Sequence, residues 1–270
     1  MDAHNTNSMK FVNKFKMFTN RIIQIYLLFI IIILCNINIA ISDDIFSGSK
    51  AGVTFLYGFD YHSADLLSIS EIGTCCPKDL DGSGNSTIFT FDYGINVIES
   101  GFLTLSLGFS NRNASLSANE IEVINLDSTA IKGQFSHDLE LDYSSFIFGI
   151  GYQQDISGMI GFGLSLMYEM PLENEFHYAE NLFSPADRGY FPDTGTRRRN
   201  EKSGEFSGLS SGIIHINIFI SRELPLDADF NWVAIPKIGL SSVIGSIDKN
   251  SGWTYYSIFI GVSISRNSIF

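Results

Sequence analysis

His215 is the residue best suited to acid–base chemistry, because it lies in an alternating apolar run, GIIHINIF. A histidine acts as general base for a hydroxyl nucleophile when the two lie within hydrogen-bonding reach. The residue two positions on is Asn217, so no nucleophile accompanies it, and His62, His137 and His177 have no better-spaced Ser or Asp. We therefore predict that His215 belongs to an internal hydrogen-bonded network. We expect no catalytic residue, no metal site and no cofactor, since zinc, phosphate-loop and G-x-S-x-G motifs are also missing.

Two adjacent cysteines, Cys75 and Cys76, follow the N-terminal 42 residues. An exported chain with two cysteines usually pairs them. A bridge between neighbours closes a strained eight-membered ring, so two free thiols and an intermolecular bond remain open as alternatives.

Two further segments carry charges at suggestive spacing. The run DLDGSGN, residues 79–85, resembles the first half of a calcium loop, but position twelve is Thr90 where a carboxylate is required. A glycine-rich turn with Asx caps is the simpler interpretation. The cluster Arg197–Arg199 is interpreted as a solvated loop, with an anion or lipid-headgroup site as the alternative.

These residues must be positioned by strands, because the chain shows period-2 alternation and no useful helical periodicity after residue 42. The segment STIFTFDYGINVIESGFLTLSLGFSN, residues 86–111, predicts a hairpin that turns at Glu99–Ser100 and has one apolar face. Eight such segments occur, at 50–62, 86–98, 101–111, 138–153, 158–170, 209–222, 228–245 and 252–265.

The links between these segments alternate in length. Short links follow segments two, four and six, whereas long links cover 63–85, 112–137 and 171–208, with a shorter one at 246–251. Short turns at one end and long loops at the other are typical of up-and-down outer-membrane barrels with an even number of strands. We predict four external loops, formed by the three long links and the shorter one, with both termini of the barrel in the periplasm.

The second face of the strands is mostly glycine and serine, as in GFGLSLMYEM, residues 161–170. A water-exposed face favours Lys, Glu, Thr and Arg, whereas small residues suit the crowded interior of a narrow barrel. The apolar face is therefore predicted to contact lipid, with aromatic girdles at both membrane interfaces. A change of parity at Ser144–Ser145 predicts a β-bulge. The competing fold is a soluble lipocalin-like barrel, which needs an apolar lumen and a polar exterior.

The first 42 residues have the layout of a signal peptide. Basic residues precede the apolar run IIQIYLLFIIIILC, and Ala40 and Ser42 fit a cleavage pattern. We predict cleavage after Ser42, leaving an exported domain over 43–270, with a retained N-terminal anchor as the alternative. The whole chain has a formal net charge of −12, and removal of this basic segment makes it more negative. That acidity argues against a nucleic-acid partner.

The exported part resembles the small outer-membrane β-barrel proteins of Gram-negative bacteria, particularly those of Bacteroidota. The resemblance rests on KAGVTFLYGFDYHSA, HDLELDYSSFIFGIGYQQ, GMIGFGLSLMYEMP and the terminal Phe270. It implies a monomeric, eight-stranded antiparallel transmembrane barrel in the lipid bilayer of the outer membrane. It also implies that Phe270 is recognised by the barrel-assembly machinery, although Arg266 and Ser268 depart from the apolar residues expected in step with it.

Inside such a barrel we predict a charge network, with Lys237 as its main cation. A cluster of this kind forms a structural plug or a narrow cation-preferring path, and an eight-stranded lumen favours the plug. The function expected is structural or surface-binding; a narrow pore and a lipid-modifying enzyme are the alternatives. The predicted network comprises Asp60, Asp92, Glu140, Asp142, Glu169, His215 and Lys237.

Overall fold

The computed structural model describes residues 48–65, 79–98, 100–126, 129–156, 160–185, 190–191, 195–229, 231–249 and 252–268. The predicted signal peptide, the pair Cys75–Cys76 and the terminal Phe270 lie outside these ranges. No helix within them is long and apolar enough to cross a membrane.

Ten strands are present in the described chain, and eight of them form a closed antiparallel ring. Neighbours in sequence pair throughout the ring, and the last strand closes on the first, with Ser49 opposite Ser268 and Ser63 opposite Thr254. The eight-stranded up-and-down barrel predicted from the sequence is confirmed. The strands are β1 Ser49–Asp65, β2 Asp79–Ile98, β3 Gly101–Leu126, β4 Thr129–Asp155, β5 Ile160–Ser184, β6 Arg198–Gly204, β7 Ile213–Arg222, β8 Leu224–Pro225, β9 Trp232–Ile244 and β10 Thr254–Ser268.

The two strands outside the ring are β6, which pairs with β5, and the short β8, which pairs with β9. We call the end of the barrel that holds Ser49 and Ser268 the terminal end, and the opposite end the loop end. The β2–β3 turn lies at the terminal end, where Ser100 has a φ of 66°. This left-handed conformation is uncommon for a residue other than glycine and marks a tight turn.

An apolar belt surrounds the half of the barrel nearest the terminal end. On β3 the outward side chains from Leu103 to Phe109 are apolar, and Leu105, Leu107 and Phe109 are each about half exposed, at 46%, 49% and 56%. A strand that spans a membrane needs about 9–11 tilted residues, which the part of β3 from its first residue, Gly101, to Phe109 supplies. Such an extent of exposed apolar surface identifies a lipid-facing barrel.

The polarity of both faces inverts beyond Phe109. The next outward residues of β3, Asn111 and Asn113, are polar and exposed, whereas Ala114 and Leu116 point inward and are buried. Water thus replaces lipid outside, and an apolar core fills the interior of the loop half. The prediction that 112–137 is a loop is wrong, because β3 and β4 continue as one hairpin to Leu126 and Thr129.

The other two long links, 63–85 and 171–208, are also partly strand in the structure. Strand β1 continues to Asp65, and β2 begins at Asp79. Residues 79–85 therefore form strand rather than the expected turn. The link predicted over 171–208 contains the rest of β5 and the added strand β6. The loop end is therefore built largely of strands that project beyond the belt.

The bulge predicted at Ser144–Ser145 occurs in the neighbouring strand. Pairing of β3 with β4 runs without interruption past these serines, but β5 opposes Ser144 with Glu173 and Ser145 with Pro171, so Leu172 is the extra residue. The parity of β4 is therefore unchanged along its length.

This parity corrects two of the predicted lumen residues. Leu139, Leu141 and Tyr143 point inward and are buried, which turns Glu140 and Asp142 to the exposed outer face. The prediction that these two acids line the lumen is wrong, because it assumed that the apolar face of β4 is the lipid-facing face along the whole strand.

Candidate functional site

A buried ion centre lies in the lumen at the boundary between the two halves of the barrel. We define it as Asp60, Arg112, Glu169, His215 and Tyr255, supplied by β1, β3, β5, β7 and β10. Each lies on the inward face of its strand because side chains alternate in and out along the wall. None of the five is more than 3% exposed.

The guanidinium of Arg112 joins the two carboxylates. Its Nη1 donates to Asp60 Oδ2 at 3.0 Å, while Nη2 and Nε donate to Glu169 Oε1 at 3.0 Å and 3.1 Å. Its planar face lies over the Tyr255 ring, 4.7 Å from the centroid. Arginine suits this position because its rigid set of donors can serve two carboxylates and still stack on an aromatic ring.

The remaining contacts extend the network around the lumen. His215 Nε2 lies 3.1 Å from Glu169 Oε2, and His215 Nδ1 is hydrogen-bonded to the Tyr255 hydroxyl at 2.7 Å. The hydroxyl of Ser86 donates to Asp60 Oδ1 at 3.1 Å. Both carboxylates thus have partners for more than one lone pair, which a buried charge requires.

Apolar layers enclose the ion centre on both sides. Toward the terminal end, the side chains of one cluster fill the lumen: Leu56, Ile88, Ile147 and Phe259, with Met167 and Phe219 packed against them. Toward the loop end, a larger cluster does the same, including Leu139, Leu141, Tyr178, Phe206 and Trp253. Ions reaching the centre from either side would have to displace these layers.

A second polar group lies below the first apolar layer. Asp92 accepts hydrogen bonds from the hydroxyls of Thr54 and Thr90, the latter at 2.9 Å. The ammonium of Lys237 lies 5.1 Å from the centroid of the Phe219 ring, and no ion pair joins it to a carboxylate among the described residues. These groups border a cavity of about 60 Å³, which is room for a few water molecules.

The predicted network is therefore divided. Asp60, Glu169 and His215 meet in the ion centre, whereas Asp92 and Lys237 form a separate group nearer the terminal end. The central cation is Arg112, which lies in the segment 112–137 that the sequence pattern predicts to be a loop. Its signal was its spacing, because Arg112 continues the inward series of Ser106, Gly108 and Ser110 on the same strand.

A third polar cluster lies at the loop end, around the buried carboxylate of Glu180 on β5. It accepts hydrogen bonds from Arg199 Nε at 2.7 Å, Asn200 Nδ2 at 2.8 Å and the Tyr178 hydroxyl at 3.1 Å. Arg199 also stacks on Phe191, 4.3 Å from the ring centroid. These contacts attach β6 to the barrel wall. Within the cluster Arg197–Arg199, Arg199 therefore has a structural role.

Burial raises the pKa of Glu180, but other groups outweigh this effect. The hydrogen bonds from Asn200 and Arg199 stabilise the ionised form, and so do the charges of Arg199 and His137. The pKa of Glu180 therefore lies below its ordinary value.

Comparison with known proteins gives structural neighbours only, since no protein-family model and no curated protein matches this chain. The outer membrane protease OmpT from Escherichia coli is similar over 82% of this chain and 97% of its own, at 9% identity and a TM-score of 0.38. The attachment invasion locus protein of Yersinia pestis is similar over 80% and 98%, at 9% identity and a TM-score of 0.31. Neisserial surface protein A is similar over 80% and 97%, at 11% identity and a TM-score of 0.31.

These neighbours are bacterial outer-membrane proteins. At such identities and scores they carry no functional argument. The assignment of a membrane barrel rests on the strand registers and on the apolar belt of this chain.

Proposed function

We propose that this protein is an integral outer-membrane barrel with a closed lumen, and that it acts through the strands and loops projecting at its loop end. Its role is structural or surface-binding. The observation that supports this proposal is the ion centre of Arg112, Asp60 and Glu169, enclosed between two apolar layers. In the proposed orientation in the membrane, the terminal end faces the periplasm and the loop end faces the outside of the cell.

The same observation disfavours the two alternatives. A cation path needs a continuous wet lumen, whereas the layer containing Phe219 and Phe259 is apolar. An enzyme needs its acid, base or nucleophile within reach of substrate, whereas Asp60, Glu169 and His215 are buried.

The experiment is single-channel recording of the chain from residue 43, refolded and inserted into a planar bilayer. Correct folding is checked by a shift in gel mobility between unboiled and boiled samples. We expect no steady conductance from the folded protein. The variant Phe219→Ala/Phe259→Ala removes two rings of the apolar layer, and its conductance shows whether this layer is the barrier.

Steady, cation-selective steps from the unaltered protein would contradict a closed lumen and support the narrow pore. Identical gel mobility with and without boiling, together with recovery in the soluble fraction, would contradict the membrane barrel itself.

A further inference from the structure

A polar groove of about 300 Å³ lies on the outer wall, where the apolar belt meets the loop half. Its floor is the barrel wall of β2 and β3, and its lining alternates amide, hydroxyl and carboxylate groups with one aromatic ring. The residues that line it are Tyr57, Asn85, Ser86, Thr87, Asn111, Arg112, Asn113 and Asp142.

The strand register explains how these side chains come together. Asn85 pairs with Asn113, which pairs with Asp142, so one outward row crosses three strands. The adjacent outward row contains Thr87 opposite Asn111. The groove is therefore set by the barrel and does not depend on the conformation of a loop.

Several polar atoms of the groove remain available to a ligand. Asn113 Oδ1 accepts a hydrogen bond from the backbone N–H of Asn85 at 3.0 Å, which leaves the Asn113 Nδ2 group to donate outward. Within the described chain, the side chains of Asn85, Asn111 and Asp142 have no hydrogen-bond partner. Amides and a carboxylate offer the mixed donors and acceptors that sugar hydroxyls match.

A row of aromatic side chains borders the groove on its terminal side. Phe55 is opposite Phe89, Phe89 is opposite Phe109, and Phe109 is opposite Phe146 on four successive strands. These rings lie at the edge of the belt, at the depth of lipid acyl chains. A molecule that filled both surfaces would need a polar head joined to an apolar tail.

The charge of the groove selects among such lipids. Asp142 is its exposed charge, and Glu175 lies opposite Asp142 on β5. The guanidinium of Arg112 points inward and is occupied by Asp60 and Glu169. A phosphate headgroup would meet carboxylates without an outward cation to balance it, so the groove disfavours anionic lipids.

From these observations we propose that the groove binds the uncharged saccharide headgroup of a glycolipid, whose acyl chains lie against the phenylalanine row. This site is distinct from the loop-end surface, although it rests on the membrane placement of the proposed function.

The experiment is native mass spectrometry of the full-length gene product, purified from membranes into a detergent without sugar. Diglucosyl diacylglycerol and phosphatidylglycerol with the same acyl chains are supplied as competing probes. We expect preferential retention of the glucosyl lipid. The variant Asn85→Ala/Asn111→Ala should reduce that retention about tenfold, because it removes two neutral hydrogen-bonding groups.

The matched control is Ser115→Ala/Ser117→Ala, which alters exposed outward positions farther along β3 and should leave retention unchanged. Equal retention of both lipids, preference for phosphatidylglycerol, or an unaffected Asn85→Ala/Asn111→Ala variant would overturn the proposal. If free maltose bound as tightly as the glucosyl lipid, the acyl-chain contact would be wrong. These outcomes are independent of the conductance measurement, which tests the closed lumen.

Discussion

Arg112 and Glu169 form a two-pronged ion pair across the lumen, with Arg112 Nη2 and Nε 3.0 Å and 3.1 Å from Glu169 Oε1. Their side chains are 2% and 1% exposed. Because the pair is desolvated, replacing both residues and replacing only one of them affect the free energy of unfolding differently. Loss of one partner leaves a charge without compensation, which costs more than the pair contributes.

The first prediction concerns the variant Arg112→Met. It leaves the carboxylates of Asp60 and Glu169 buried without their cation, and we expect the free energy of unfolding to fall by about 3–5 kcal/mol. Urea unfolding of the barrel in lipid vesicles measures this change. The control is Arg222→Met, an exposed cation at the end of β7, which should change stability little. Equal effects of the two substitutions would show that Arg112 is not the central cation.

The second prediction tests whether Lys237 is a stabilising cation of the charge network, as Arg112 is. The sequence pattern predicts that Lys237→Ala destabilises the barrel through lost ion pairs. In the structure its ammonium lies over the Phe219 ring and forms no ion pair with a described carboxylate, so we expect Lys237→Met to cost less than about 1 kcal/mol. The same vesicle assay measures it. A loss as large as that of Arg112→Met would restore Lys237 to the network.

The third prediction tests the boundary of the belt along one strand. Leu107→Arg introduces a cation at a lipid-facing position of β3, and we expect it to destabilise the barrel by about 2–4 kcal/mol. Ser115→Arg introduces the same charge beyond the boundary, where water receives it, and should be nearly neutral. The fraction of heat-modifiable protein after refolding reports both. Similar losses for the two variants would contradict the proposed position of the membrane.

The fourth prediction concerns pH and the attachment of β6. Because the pKa of Glu180 is lowered by folding, its ionised form stabilises the protein at pH values above the ordinary carboxyl pKa. This contribution is lost as the pH falls through the lowered pKa. Glu180→Gln removes the charge at every pH, so its stability deficit should be largest near neutral pH and shrink in acid.

Unfolding titrations of both proteins between neutral and acidic pH measure this difference. Trypsin cleavage at Arg197–Arg199 at neutral pH provides a second measurement, since a released β6 should be cut faster in Glu180→Gln. The control is Glu175→Gln, an exposed acid on the same strand. A deficit that does not depend on pH would show that the Glu180 charge is not what holds β6.

The sequence predicted the barrel well because lipid and a narrow lumen impose opposite requirements on alternate residues. The hairpin over 86–111, with its turn at Glu99–Ser100, shows that signal, and the strands on both sides of the turn are confirmed. The predicted end of β3 is wrong because the surroundings of the barrel change there from lipid to water. Beyond Phe109 the alternation continues with its faces exchanged, and a search for one apolar outward face therefore ended β3 too early.

The same exchange explains the site residues that were misjudged. Glu140 and Asp142 alternate with leucines, and the pattern alone cannot say which side of the wall the leucines occupy. Arg112 lies next to the boundary, where a charged residue after an apolar stripe resembles the start of a loop. The bulge is predicted on β4 at Ser144–Ser145, whereas the extra residue is Leu172 on β5. A bulge shifts the pairing of both strands, so the pattern of one strand does not show which of the two contains the extra residue.

The exchange of faces also bears on cooperativity. The terminal half is held in place by its surroundings, since its exposed rings need lipid, whereas the loop half carries an apolar interior of its own and a wettable exterior. Thinning or dissolving the bilayer therefore removes support from one half and leaves the main stabilising force of the other intact. The two halves of a single hydrogen-bonded cylinder thus have separate reasons to remain folded.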